Sequence, residues 1–221
     1  MARSSAQSAQ RYPLTTILGT EANVRVLREL FRHGGQMPAP AVTARSGLAK
    51  ASVWAALAAL EATGVVVSAG SGRTHLYCVR ADHPLAASLG ALFEAEDCRF
   101  AAIRDTIRAA AIGAGPGVIA VWLYGSVARG DDRPDSDCDI AVVAEPPERA
   151  RIADAVREAL AVPAATLAFV PAVIGLDPAD VERLSREHDP WWAGLTADAV
   201  VLLGERPDDL AAKVRRGRTA A

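Results

Sequence analysis

The sequence predicts an α+β protein in two parts. A helical front half closes with a β-hairpin. A connecting helix then leads to a back half with a small mixed sheet and covering helices. Three observations predict this. Apolar residues recur at helical spacing from Val24 to Leu60 and then give way to two β-branched runs around a Gly-rich turn. Residues 113–117, Gly-Ala-Gly-Pro-Gly, are the sharpest break in the 221-residue chain. Beyond it, apolar strand-like runs alternate with helical stretches, the order of a sheet packed by helices.

Residues 1–13 are polar and lack periodicity, so they read as a loose arm. From Thr20, the residues Val24, Leu27, Leu30 and Phe31 share one helical face, and His33-Gly34-Gly35 stops the helix. A short segment, Pro38–Ser46, ends at Gly47. In the next helix Val53, Leu57 and Leu60 form an i, i+4, i+7 stripe, with Gly64 as the C-terminal stop. Val65–Val67 and Thr74–Val79 flank Ala69-Gly70-Ser71-Gly72 and read as a hairpin. Pro84–Ala111 is a long helical stretch that bridges the halves.

After the Gly-rich break, Val118–Tyr124 is a strand, Gly125-Ser126 a sharp turn, and Ser126–Arg129 a helical turn. Cys138–Val143 is a second strand, Pro146–Ala161 a helix, Ala165–Ile174 a third strand and Pro178–His188 a helix. Ala199–Leu203 is a short final strand, and the basic end of the chain is frayed. The domains expected are an arm at 1–13, a helical domain with hairpin at 14–83, a connecting helix at 84–113, an α/β domain at 114–206 and a tail at 207–221.

Charge separates the same two halves. Residues 1–83 carry nine Lys/Arg against four Asp/Glu, a surplus of +5, and residues 84–221 carry fifteen against twenty-two, a balance of −7. Different partners are expected for the two. No apolar run reaches the ~18 residues of a membrane span. The N-terminus lacks an apolar leader, and the three cysteines make no disulfide framework, so a reducing, cytoplasmic setting is expected. The four histidines are scattered without metal-ligand spacing.

The densest chemistry lies in VWLYGSVARGDDRPDSDCDIAVV. Gly125 and Ser126 sit where a strand turns into a helix, and backbone N–H groups there can hold phosphate oxygens. Arg129 and Arg133 could face a triphosphate. Asp137 and Asp139 stand two apart at the start of a strand, so their side chains point to one side. Two such carboxylates suit Mg²⁺, with phosphates and water completing its shell.

The order helix, helix, helix, hairpin over residues 14–83, with the segment GLAKASVWAALAALEATGVV, resembles the winged helix-turn-helix of bacterial transcription regulators. The resemblance implies double-stranded DNA as partner. Lys50, Ser52 and Trp54 would stand on the first turn of the recognition helix, and Arg73 at the wing tip. That helix is mostly Ala and the +5 surplus is modest, so contact with protein alone is the other reading. A homodimer would double the DNA contacts.

The motif GS…ARG…SDCDI resembles the signature of DNA polymerase β-type nucleotidyltransferases, in particular the minimal branch, over roughly residues 116–205. This implies Gly125 and Ser126 on phosphate, Asp137 and Asp139 as metal ligands and catalytic carboxylates, and Ser136 orienting the first Asp. It implies Mg²⁺ and a nucleoside triphosphate as ligands. The family's third carboxylate is missing: no acidic residue occurs between Glu158 and Asp177, and by pattern Ala168 occupies its place. The expected function is a DNA-binding regulator whose nucleotidyltransferase-like domain binds Mg–nucleotide or a partner, with catalysis weakened. The alternatives are an active transferase moving a nucleoside monophosphate onto a protein, small molecule or RNA, and an antitoxin acting on a HEPN-type toxin.

Overall fold

The computed structural model describes residues 14, 17–70 and 75–219. The chain divides into two compact units, Met1–Asp97 and Cys98–Ala221, with the division inside one long helix. The expected N-terminal arm and the hairpin tip with Arg73 fall outside the described residues.

In the front unit, helix α1 (Glu21–His33) starts where Thr20 Oγ1 accepts the N–H of Asn23 at 3.1 Å. It stops at Gly34, whose left-handed backbone (φ +69) suits glycine. The short strand β1 (Met37–Pro38) leads into α2 (Ala39–Ser46) and α3 (Lys50–Ala62). Strands β2 (Val66–Ala69) and β3 (Leu76–Val79) form the hairpin, and β1 pairs antiparallel with β3, giving the order β1-β3-β2. Strand β1 is too short, at two residues, to leave an alternation in the sequence. The predicted inward stripe Val53, Leu57 and Leu60 is buried with Val26, Leu27, Leu30 and Tyr77. The first half of α4 (Ala86–Gly113) adds Leu89 and Phe93 to this core. Arg28 reaches Glu96 at 2.7 Å and Arg32 pairs with Asp97; exposed pairs like these contribute at most about 1 kcal/mol each.

The back unit is a four-stranded mixed sheet, order β6-β5-β4-β7. Strand β4 (Val118–Tyr124) runs into the short helix α5 (Gly125–Arg129), followed by β5 (Cys138–Ala144), α6 (Arg149–Leu167) and β6 (Pro171–Leu176). Helices α7 (Pro178–Arg186) and α8 (Pro190–Asp198), strand β7 (Val200–Leu203) and helix α9 (Pro207–Thr219) complete it. Strands β4 and β5 are antiparallel; β5 and β6 are parallel. Residues alternate between two cores. Val121, Leu123, Cys138, Ile140 and Val142 pack with Ile103 and Ile107 of α4 and Ile152 and Val156 of α6. Ala120, Trp122, Ala141 and Val143 pack with α7, α8 and α9.

Three expectations are corrected. The third strand does not begin at Ala165, because α6 continues through Pro163 to Leu167 and ends at Ala168 in the left-handed region (φ +53). Pro163 lacks the N–H that would reach the Ala159 carbonyl, yet the helix continues past it to Leu167. The basic tail is not frayed through residue 219. Leu210, Ala211 and Val214 make a helical stripe that packs against Trp192 and Trp122, and burying a side chain such as Leu210 contributes about 2 kcal/mol. The segment after Gly35 holds a strand before its helix. No described helix is long and apolar enough to cross a membrane.

Candidate functional site

The site is built where β4 and β5 end side by side. Tyr124 and Asp139 are register partners, both on the face covered by α7–α9. The chain then bends at Gly125, whose φ of +78° only glycine adopts without strain. The Asp139 carboxylate fills the space that a side chain would take: a Cβ on Gly125 would lie 2.4 Å from Asp139 Oδ2. The bend and the acid are therefore in direct contact. Helix α5 opens without a side-chain cap, which leaves the first N–H groups after Tyr124 without a side-chain acceptor.

Electrostatics tie the rest of the cluster to this contact. Burial, and then the charge of Asp137, raise the Asp139 carboxyl above its ordinary range, while Arg129 opposes them. Asp137 is exposed and Asp139 half-buried, with Cys138 turned into the opposite core between them. Burial, and then the charge of Asp139, push the Tyr124 hydroxyl up against an opposing hydrogen bond from Trp191. The Trp191 ring meets Tyr124 edge-on, with centroids 5.6 Å apart. Asp189 positions it by accepting the N–H groups of Trp191 and Trp192 at the start of α8. The two tryptophans then part. Trp192 is 4% exposed against Trp122, and Trp191 is 37% exposed.

The predicted residues are brought together only in part. Asp139 meets Gly125, Asp137 is near enough for its charge to act on Asp139, and Ser126 follows directly on α5. Arg129 is held by Asp131 and Asp198, so its guanidinium is paired before any ligand arrives. Ser136 Oγ accepts the N–H of Arg133 at 2.9 Å and closes the turn that precedes Asp137. Arg129, Arg133 and Ser136 all line a cavity of about 550 Å³ together with Cys138, on the other side of β5 from the two carboxylates. Sequence reasoning missed Tyr124 and Asp198. The phase of β4, with Trp122 and Tyr124 on one face, is the signal that could have found the first.

The place of the third carboxylate also moves. The β6 residue in register with Asp139 is Ala172, on the same face as Ile174, whereas Ala168 caps α6 outside the sheet. β6 carries no acid. Asp177 caps α7 and pairs with Arg149, away from this end of the sheet. Two carboxylates a residue apart, one of them open to water, fit a Mg²⁺ ion that keeps waters and binds phosphates. They do not make an all-protein cage, and no group of three or more acidic, His or Cys residues placed to hold a metal exists among the described residues.

In the front unit, Lys50 and Trp54 stand four apart on α3 and are exposed, Trp54 meeting Tyr77 edge-on at 6.3 Å. Ser52 does not share their face. It is half-buried and, with Gly19, Thr20 and Asn23, lines a hollow at the start of α1. The helical period explains this, since residue i+2 is turned ~200° from i.

Comparison with known proteins agrees with the back unit. Residues 110–167 match the family described as Polymerase beta, Nucleotidyltransferase, a stretch that includes β4, the Gly125 bend, both aspartates and α6. Over these residues the chain is similar to polymerase β-type nucleotidyltransferases, which supports a nucleotidyltransferase-like domain there. Among solved structures, a toxin-antitoxin with AMP-PNP is 20% identical, with 53% of this chain and 87% of that chain covered and a TM-score of 0.34. A mutant of the toxin-antitoxin MntA-HpeT is 18% identical over the same shares, with a TM-score of 0.33. No curated protein matches the chain significantly.

Proposed function

We propose that the back unit binds a magnesium-complexed nucleoside triphosphate at the end of β4 and β5, and that the front unit binds double-stranded DNA, so that the chain is a nucleotide-linked DNA-binding regulator. The observation that carries the nucleotide reading is the contact between the Asp139 carboxylate and the Gly125 bend. A bare backbone able to approach phosphates lies against a carboxylate able to hold their counter-ion. Asp137 and Asp139 would hold Mg²⁺, and the ion would neutralise the phosphates. Gly125 and Ser126 supply N–H groups to the phosphate oxygens, and Trp191 beside Tyr124 offers an exposed aromatic edge nearby.

Transfer chemistry is expected to be weak. Nucleotidyl transfer needs a group that takes the proton of the attacking hydroxyl, and Ala172 stands where an acid on β6 would lie. Binding without fast turnover suits a sensor. DNA binding is supported by the basic surplus of residues 1–83, by the exposed Lys50 and Trp54, and by the order α1-β1-α2-α3-β2-β3, as in a winged helix. The antitoxin reading rests on the resemblance alone.

The test has two arms. Titration with ATP, GTP, CTP and UTP in Mg²⁺ should give saturable binding with slow or absent label transfer. Gel-shift and footprinting on the DNA upstream of the coding region should give a specific complex that weakens with salt. Label transfer at an ordinary enzymatic rate would make the chain an active transferase. Failure of every nucleotide to bind would remove the back-unit reading, and absence of any specific shift the front-unit one.

A further inference from the structure

We propose that the 550 Å³ cavity on the α4/α6 face of the sheet is a second, metal-independent site for a nucleoside mono- or diphosphate. Four arginines line it, Arg99, Arg104, Arg129 and Arg133, in a half of the chain that is acidic overall. Two of these are already engaged. Arg99 donates to the carbonyls of Leu167 and Ala168 at 2.8 and 2.7 Å and so caps α6, and Arg129 is held by two aspartates. Arg104 and Arg133 pair with no carboxylate among the described residues. Arg104 lies over the Phe100 ring at 5.4 Å.

Two uncommitted guanidiniums in one concavity suit a phosphate group, which their planar N–H forks bind bidentately. Asp132 is the one acid on the wall, so the lining remains net positive. The other walls are apolar: Phe100, Phe169, Ile103 and Val127 face the same space. A flat ring joined to a phosphate satisfies both surfaces, and the volume falls in the range of small-molecule sites. Asp137 and Asp139 do not line this cavity, and Cys138 between them does. The site therefore has no carboxylate pair for a metal, and Arg129, which lines it and whose charge acts on Asp139, stands between it and the proposed Mg–nucleotide site.

The experiment is calorimetric titration of the full chain with ADP in EDTA. One equivalent is expected to bind. An Asp137→Asn/Asp139→Asn variant should bind equally well, and an Arg104→Ala/Arg133→Ala variant at least tenfold more weakly with its circular dichroism and melting temperature unchanged. Phe100→Ala should weaken ADP more than inorganic phosphate. The proposal is overturned if ADP does not bind at millimolar concentration in EDTA, if the arginine variant binds as before, if adenosine binds as well as ADP, or if the aspartate variant loses the binding. Failure here leaves Mg-dependent binding at the carboxylates untouched, so the two readings fail separately.

Discussion

The two faces of the four-stranded sheet diverge where β4 gives way to α5. On the face covered by α7–α9, Asp139 emerges against Gly125 with Asp137 beyond it. On the face covered by α4 and α6, Cys138 looks into a cavity lined by arginines. A single step along β5 separates an acidic surface from a basic one. The strand's two-residue period does this at no cost in backbone strain, because alternate residues simply point to opposite faces. Burial then sets the chemistry of each. Cys138 is driven by burial, and then by the charges of Asp139 and Asp132, up to about 11, so its thiol stays protonated. Asp139 is only half-buried and stays accessible to a ligand.

Glycines give the widest contrast between site and scaffold. Gly204, at the end of β7, has φ +75°, and a Cβ there would lie 2.3 Å from the Ile119 carbonyl oxygen. Backbone cannot yield, so Gly204→Ala should cost about 3 kcal/mol or more in chemical denaturation. At Gly125 the obstacle is a carboxylate that can swing aside. Gly125→Ala should cost about 1–2 kcal/mol of stability but displace Asp139 and remove Mg–nucleotide binding. If both variants lose only stability, the Gly125 contact has no functional meaning.

Restoring the missing acid comes next in size. Ala172→Asp places a carboxylate in register with Asp139 and should tighten Mg²⁺ binding about tenfold and speed label transfer. Ala168→Asp should do neither, since residue 168 caps a helix. Equal effects would contradict the register.

A smaller effect tests the strain within the acidic pair. The folded-state pKa of Asp139 is raised, so its ionised form destabilises the metal-free fold above the ordinary carboxylate range. Asp139→Asn should melt modestly higher than wild type at neutral pH without metal. The gain should vanish as pH falls below that range, and Mg²⁺ with nucleotide should reverse the order. The smallest effect is chemical: at neutral pH, Cys98 is exposed and should be alkylated, while Cys138 should not.

Much of this comparison was legible in the residues themselves. The bounds of β4 and the opposed directions of Asp139 and Cys138 follow from alternation. Helix α1 follows from Thr20 and Gly34, and the break at 113–117 from its glycines. The start of the third strand was not legible, because residues 165–170 are mostly apolar at a spacing that fits strand or helix, and only packing of α6 on β5 and β6 decides between them. The helical end of the chain was hidden for a similar reason: Leu210, Ala211 and Val214 are few among charges, and their burial depends on Trp122 and Trp192, far away in sequence. The place of Arg129, Arg133 and Ser136 on the cavity wall was also hidden, because sequence proximity says nothing of which side of a strand end a turn takes.

The most direct measurement is the Mg²⁺-dependent binding of ATP, that in Mg²⁺ less that in EDTA, to wild type and to Asp139→Asn, with folding checked by circular dichroism at the same pH. Loss of a carboxylate that holds the metal predicts a dissociation constant roughly a hundredfold higher for the variant, with its structure intact. Equal binding by the two proteins would contradict the assignment of the Gly125 bend and its aspartates as the nucleotide site.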